Sequence, residues 1–375
     1  MVKFLQAVSI LAGMIIGVGM FGIPFSFAKS GFLLGFVELI LITGLILLYH
    51  LLYSEVVLAT ASFHRLPGYV NIYLGKRWAG LEWMSSFFGI LGSLLAYLIL
   101  GSVFLHGIIF VFFPGISYFI SVFFLIFLTA VVNKLPLKKE ARLNSVLMGL
   151  LIAFVCILIF ILLPHVEASN FSPVRWEYGF LPYGILLFAL SGGVVIPDLV
   201  TFLGRSRPRV RRAIFAGTFL PAVLYGLFAF AVAGSSGSFV TEEAISGLLP
   251  VVGFRVVLLG NIIGFLATLT SLIALAESFE ALLRLDLKLS PFLAQIVTTA
   301  APAGLYFLGI QNFLLTISLV GALAIGIDSL MVVAVYHALQ VKMRRDISFA
   351  SYAWKIGVGA LLLFGVGYEL ITLLL

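Results

Sequence analysis

Apolar residues run through this chain in stretches too long for a water-soluble core. Eleven such stretches occur, at about 5–27, 32–60, 80–111, 117–133, 143–164, 179–202, 213–234, 254–283, 291–308, 312–341 and 351–374. A helix needs about 20 mostly apolar residues to cross the hydrocarbon core of a bilayer. We number the stretches spans 1 to 11; the longest are expected to tilt or to project beyond the bilayer. No ten-residue, period-two alternation recurs, which excludes a membrane barrel. Composition agrees. Hydrophobic residues make up 62% of the chain and charged residues 10%, against about one-quarter charged in an ordinary soluble domain. Fifteen acidic and 22 basic residues cannot cover a soluble enzyme or a nucleic-acid binder of this length. The single Cys156 excludes an internal disulfide framework and a cysteine metal cluster. The expectation is an all-α polytopic membrane protein, one transmembrane domain over 1–375.

Basic residues orient it. With the N-terminus in the cytoplasm, the inner segments hold Lys3, then Arg65, Lys76 and Arg77, then Lys134, Lys138, Lys139 and Arg142. They also hold Arg205, Arg207, Arg209, Arg211 and Arg212, then Arg284 and Lys288, Lys342, Arg344 and Arg345, and Lys355. That is 19 of the 22; only Lys29, Arg175 and Arg255 fall outside. Such sorting follows the positive-inside rule and supports eleven spans, N-terminus in and C-terminus out. The net charge of +7 is then a topology signal, with no bearing on acidic substrates. Span 1 is too long for a cleaved leader and lacks a clear small-x-small site. No P-loop occurs, so any active transport must draw on an ion gradient or on a separate partner. The lack of large soluble loops argues against an extensive soluble partner, and no oligomer signature is legible.

Two spans are interrupted. Span 1 reads Gly13-Met14-Ile15-Ile16-Gly17-Val18-Gly19-Met20-Phe21-Gly22-Ile23-Pro24. Span 6 reads Phe188-Ala189-Leu190-Ser191-Gly192-Gly193-Val194-Val195-Ile196-Pro197-Asp198. Glycine weakens a helix and proline removes a donor. Unpaired backbone at membrane depth is tolerated only where protein buries it or it lines a cavity. The two breaks lie five spans apart, so spans 1–5 (residues 1–164) and 6–10 (179–341) run in opposite directions, and span 11 (351–374) is accessory. Matched breaks in inverted halves point to a secondary transporter with a midplane site. Glycine also serves as a helix-packing surface, the reading preferred for Gly260-x-x-x-Gly264.

The first-span motif, followed by Phe27-Ala28-Lys29-Ser30-Gly31-Phe32, resembles the start of amino-acid permeases. Arg65-Leu66-Pro67-Gly68-Tyr69 with Tyr73-Leu74-Gly75, Ser191 to Pro197, and Thr270-Ser271 through Asp286 agree. The chain is similar to the amino acid–polyamine–organocation (APC) superfamily, and within it to the aromatic and hydroxy amino-acid (tryptophan/tyrosine) permease branch. The resemblance implies a LeuT-like fold of two inverted five-helix repeats. It also implies amino-acid import by proton or sodium symport across the inner (cytoplasmic) membrane, with no other cofactor.

An amino acid needs donors for its carboxylate and acceptors for its ammonium group, and a broken helix offers both. The backbone at Gly17, Gly19 and Met20 is expected to face the carboxylate. Carbonyls around Ile15, Ile16, Ser191 and Gly192, with Gly193 beside them, would take the ammonium. Ser93, Tyr97, Phe188 and Thr268 are candidates for the side-chain pocket; each reads equally as packing. In sodium-coupled relatives an Ala-x-x-Thr-Ser sequence, here Ala267, Thr270 and Ser271, helps hold sodium with carbonyls matching Gly13 and Ile16. Proton-coupled relatives carry Thr-Ser here too, and these hydroxyls also bond helix carbonyls. The lysine that some proton-coupled relatives place in span 5 has no counterpart in 143–164. Asp198 reads either as a cap of the inner half of span 6 or as a proton acceptor or a cation's partner near the substrate. Asp328, deep in span 10, reads as a buried hydrogen-bonded acid or a coupling acid.

Rival classes leave different traces. An uncoupled facilitator or channel for small polar solutes needs no gradient, and no repeated selectivity-filter sequence is visible. A membrane enzyme would place His, Asp or Glu clusters near an interface; no HExxH occurs. A metal-ion transporter of this fold would place an Asp in the first break, and none lies between Met1 and Glu38.

Overall fold

The computed structural model describes residues 2–132, 140–285, 287–343 and 357–368. Lys134, Lys138, Lys139, Asp286, Arg344, Arg345 and Lys355 lie outside them. The described chain is helical. In order come α1 (Val2–Ile15), α2 (Gly19–Ser30), α3 (Phe32–Ala59), α4 (Leu66–Leu74), α5 (Lys76–Phe112), α6 (Tyr118–Val132) and α7 (Glu140–Leu162). Then follow α8 (Leu181–Leu190), α9 (Ile196–Phe202), α10 (Arg207–Ser236), α11 (Leu249–Leu285), α12 (Pro291–Phe307), α13 (Phe313–Leu319) and α14 (Gly326–Lys342). A last helix, α15, is described over Gly357–Tyr368.

Seven stretches are long and apolar enough to cross a membrane, and the bent pair α1–α2 makes an eighth. These eight overlap the expected spans 1 to 3, 5 to 8 and 10; both ends of span 11 lie outside the described residues. Pro67, Pro182, Pro197, Pro208 and Pro291 each stand in a first helical turn, where the missing N–H costs nothing. The Ser290 and Asn312 side chains accept from Leu293 and Leu315 N–H and cap α12 and α13. Gly31, at φ +100°, turns α2 into α3; a Cβ there would stand 2.5 Å from the Pro173 carbonyl oxygen.

Lipid offers no hydrophobic drive between helices, so close packing holds the bundle. Phe21 of α2 meets Phe104 of α5 edge-on at 5.0 Å and Phe228 of α10 at 6.4 Å. Between α13 and α14 the helix widens to π geometry over Val320–Ile325. There Gly321 packs so tightly on the Gly184 carbonyl of α8 that no side chain fits. α4 is an extra helix that the apolar pattern did not show; it packs on α5 and α14.

One face of the bundle is arginine-rich. Arg205 donates to the carbonyls of Val57, Leu58 and Thr60 at 2.7, 3.0 and 2.6 Å, closing the end of α3. Buried Glu55 takes Arg207 at 2.5 Å and Arg211 at 2.8 and 3.0 Å. Three of the arginines read as topology signals are thus also clamps on α3.

Candidate functional site

The two interruptions lie side by side. α1 stops at Ile15 and α2 starts at Gly19, bent by 58°. α8 stops at Leu190, and a 3-10 turn over Gly193–Val195 leads into α9. Both breaks follow from the Gly-rich runs, each closed by Ile-Pro. Gly19 touches α8: a Cβ on it would stand 2.8 Å from Ala189 Cα and 3.0 Å from a Phe188 ring carbon. Gly192 faces back, where a Cβ would meet Leu11 and Ile15 at 2.8 and 2.9 Å. The Tyr49 ring and hydroxyl, from α3, fill the space a Cβ on Gly193 would need.

A broken helix frees N–H and C=O groups, and many are satisfied internally. Ile16 N–H bonds Ala12 O at 2.8 Å, Met20 N–H bonds Gly17 O at 3.3 Å, and Phe21 N–H bonds Val18 O at 3.1 Å. In the second break, Ser191 N–H bonds Phe188 O and Val195 N–H bonds Gly192 O, both at 3.3 Å. Tyr225 of α10 joins the two breaks. Its hydroxyl lies 2.7 Å from the Ile15 carbonyl and 3.2 Å from the Ala189 carbonyl, and the Gly17 N–H points at it. The Gly17 and Met20 N–H groups and the Ile15 and Gly192 carbonyls, expected to face a ligand, are therefore engaged within the protein. The Val18 and Gly192 N–H groups and the Ile16 and Ser191 carbonyls make no hydrogen bond among the described residues.

Of the side-chain candidates, Tyr97 reaches the breaks. Its hydroxyl stands 3.6 Å from the Cβ position of Gly17 and meets the Ser271 hydroxyl of α11. Phe188 borders Gly19. Thr268 is buried, bonds Gly264 O at 2.7 Å and turns its methyl to Gly101 of α5. Ser93 bonds Gly89 O in its own helix at 2.7 Å. Thr270 donates to Leu266 O and Ala267 O at 3.2 and 3.1 Å, so its hydrogen is used within α11 and its lone pairs are left. Ala267 is buried beside it. Gly13 has Met148 of α7 as its nearest side-chain neighbour. Among the described residues, no group of three or more His, Cys, Asp or Glu is placed to hold a metal.

The two candidate acids sit in unlike places. Asp198 pairs with Arg65 at 2.6 Å, at 49% and 55% side-chain exposure, and the same Arg65 nitrogen donates to Val194 O at 2.9 Å. That ties the start of α9 to the segment before α4. Asp328 accepts from the Ser85 hydroxyl of α5 at 2.8 Å, inside the bundle.

On the face opposite the arginines, a cavity of about 590 Å³ is lined by Phe25, Tyr118, Phe119, Glu242, Tyr306 and Gln311, among others. Burial and the charge of Glu243 hold the Glu242 carboxyl above the usual carboxylate range, against the Asn312 hydrogen bond and the Lys29 charge. A second cavity, of about 500 Å³, adjoins it through Phe25 and Val240 and carries Lys29 and Arg175.

Sequence reasoning missed Tyr225, Tyr49 and the Arg65–Asp198 pair. No spacing marks them, since each acts on a helix far away in sequence.

The sequence matches the tryptophan/tyrosine permease family over residues 1–372. No curated protein sequence matches it. Among solved structures, it resembles MhsT in complex with L-phenylalanine: TM-score 0.64, 16% identity, 98% of each chain covered. It also resembles Mhp1, a nucleobase-cation-symport-1 family transporter, closed with bromovinylhydantoin bound: TM-score 0.66, 14% identity, 92% of this chain and 80% of that one. Inward-facing Mhp1 gives a TM-score of 0.65 at 13% identity, over 99% and 90%. These likenesses establish a LeuT-like fold.

Proposed function

The chain belongs to the tryptophan/tyrosine permease family, a multi-pass membrane transporter rather than an enzyme, and on that premise we propose that it imports an aromatic amino acid by symport with a proton or sodium ion. The observation that carries the reading is the pairing of the two breaks. Within a few residues they offer unspent N–H groups at Val18 and Gly192 and unspent carbonyls at Ile16 and Ser191. Those are the donors and acceptors a zwitterion needs, supplied without an ionised side chain. Gly17, Gly19, Gly193, Tyr97 and Phe188 shape the space around them, with Met20 and Ile15 in support. The family's name and the phenylalanine bound to MhsT support an aromatic substrate.

Eleven crossings complete the picture: the eight long ones, together with α6, α12 and α15. The N-terminus then lies in the cytoplasm and the C-terminus outside, in the inner membrane. The arginine-rich face is cytoplasmic, and the aromatic cavity opens outside. Residues 1–164 and 179–341 form the inverted repeats and 351–374 the accessory helix. Thr270, Ser271, Ala267, Gly13 and Ile16 are the place a sodium ion would take.

Uptake of labelled tryptophan, tyrosine and phenylalanine into vesicles containing the purified protein tests this. Accumulation above the outside concentration under an inward proton or sodium gradient is expected. Uptake that never passes equilibrium under either gradient would overturn symport in favour of a facilitator.

A further inference from the structure

Asp328 has a neighbour that its sequence position does not announce. Glu82 stands in the second turn of α5, is 0% exposed, and has no hydrogen-bond donor at either carboxyl oxygen. Ser85, three residues after Glu82 in α5, bonds Asp328 at 2.8 Å, which brings the two carboxyls within reach of one another. One donor is near. The Ser85 hydroxyl lies 2.8 Å from Asp328 Oδ1 and 3.1 Å from the Ala324 carbonyl, so its single hydrogen is divided between them and none is left for Glu82. No ion pair among the described residues includes either acid. From α3, Tyr49 and Tyr53 stand within electrostatic range of the pair. From α4, Tyr69 packs edge-on against Tyr53 at 5.9 Å. Arg65 lies beyond Tyr53 and is held by Asp198 and Val194 O. Lys342, at the far end of α14, sits over the Tyr73 ring at 5.6 Å.

Two carboxylates in contact, buried and without a cation, cannot both stay ionised. One proton resolves the conflict. It turns one carboxyl into a donor, the other accepts, and one of the orphaned Glu82 oxygens gains a partner. We propose that Glu82 and Asp328 together hold one exchangeable proton, and that its release is the coupling step of transport. The second half rests on the transporter reading above. Release breaks one carboxyl O–H bond and forms one O–H bond on a water that enters from the arginine-rich side, and the same hydration lets both carboxylates stand ionised. The pair's surroundings reach the breaks on two sides. Tyr49 fills the space at Gly193, and Ala324 belongs to the wide turn whose Gly321 presses on α8.

A sodium ion is the rival occupant, since the same carboxyls, the Ser85 hydroxyl and the Ala324 carbonyl are hard oxygen ligands. The test compares full-length wild-type protein with Glu82→Gln, Asp328→Asn and Ser85→Ala in lipid vesicles. Three readouts are taken: accumulation under a proton or a sodium gradient, exchange of labelled for unlabelled substrate at equal concentrations, and infrared difference spectra on pH titration. Wild type is expected to accumulate substrate with protons alone and to show a titrating protonated-carboxyl band. Glu82→Gln should lose about tenfold or more of the accumulation ratio, keep exchange and lose the band; Asp328→Asn should lose accumulation and the band as well. Ser85→Ala should shift the pH midpoint and leave the band. If Glu82→Gln does not fold, Glu82→Asp takes its place and should keep the band at a shifted midpoint. Wild-type accumulation by both Glu82→Gln and Asp328→Asn, a sodium-only drive, or no titrating band would each overturn the proposal. Should wild type move no amino acid at all, the function proposed above fails, and the band still decides the pair.

Discussion

The two breaks share a sequence grammar, small residues and then Ile-Pro, yet the fold secures them in different ways. The first is held from inside. Gly19 is pressed against Ala189, and the Tyr225 hydroxyl is shared by the Ile15 and Ala189 carbonyls. The second is held inside by Tyr49 at Gly193, and then again at the surface by a half-exposed ion pair, Arg65–Asp198. Steric and neutral contacts in a dry interior are strong and insensitive to salt. An exposed ion pair is weak and screened. One break is therefore built as a fixed seat, and the other carries a latch that small changes can open.

The sharpest way to break this comparison is Gly19→Leu, which forces side-chain atoms into α8. Overpacking of this kind costs about 1–3 kcal/mol, and initial uptake is expected to fall by about 100-fold at equal expression. Gly17→Ala is the control, because its Cβ meets the Tyr97 hydroxyl at 3.6 Å, an ordinary contact. Equal loss in both variants would remove the packing argument.

Tyr225→Phe comes next. It leaves two buried carbonyls without their donor, at about 1–3 kcal/mol. Thermal unfolding should move down, and uptake should drop by about tenfold. Unchanged stability would mean that water replaces the hydroxyl.

The latch predicts less. Arg65→Ala or Asp198→Asn should each cost about 1 kcal/mol or less. The effect on uptake should fade in high salt, and the charge swap Arg65→Asp with Asp198→Arg should restore part of it. A loss as large as that of Gly19→Leu, or one untouched by salt, would contradict the contrast.

The smallest effect is expected on the opposite face. Glu242 titrates above the usual glutamate range, owing to burial and Glu243. As pH rises through that raised value the carboxyl becomes charged and attracts an ammonium group. KM should therefore fall by about twofold over that window, and Glu242→Gln should flatten the pH profile. A KM in wild type that does not move with pH there would exclude this role.

Most of the helices were legible because each apolar run meets charge, glycine or proline at a definite residue. The breaks were legible for the same local reason. What could not be read was how freed groups are spent. Met20 N–H turns back on Gly17, and the Ile15 carbonyl goes to a phenol 210 positions away in sequence. Nothing near either residue encodes that. Asp198 and Asp328 looked alike as intramembrane acids, and only tertiary contact separates an arginine-paired surface acid from one facing Glu82. Glu82 itself could have been found from cost alone, since an unpaired acid inside a span is expensive. α4 stayed hidden because its nine residues are too few to show a period.

The wide turn at Val320–Ile325 bears on Asp328, three residues further on. A π turn carries a surplus residue relative to an α-helix. Where it sits along the helix sets the bearing of every side chain it passes. Were the surplus to migrate past Asp328, that carboxyl would swing by about 100° around the helix axis, away from Glu82. Cysteine accessibility at Ile327→Cys and Ser329→Cys, compared with and without substrate, reads such a swing; unchanged accessibility at both would exclude it. A helix built this way can index by one residue, like a ratchet tooth, without melting.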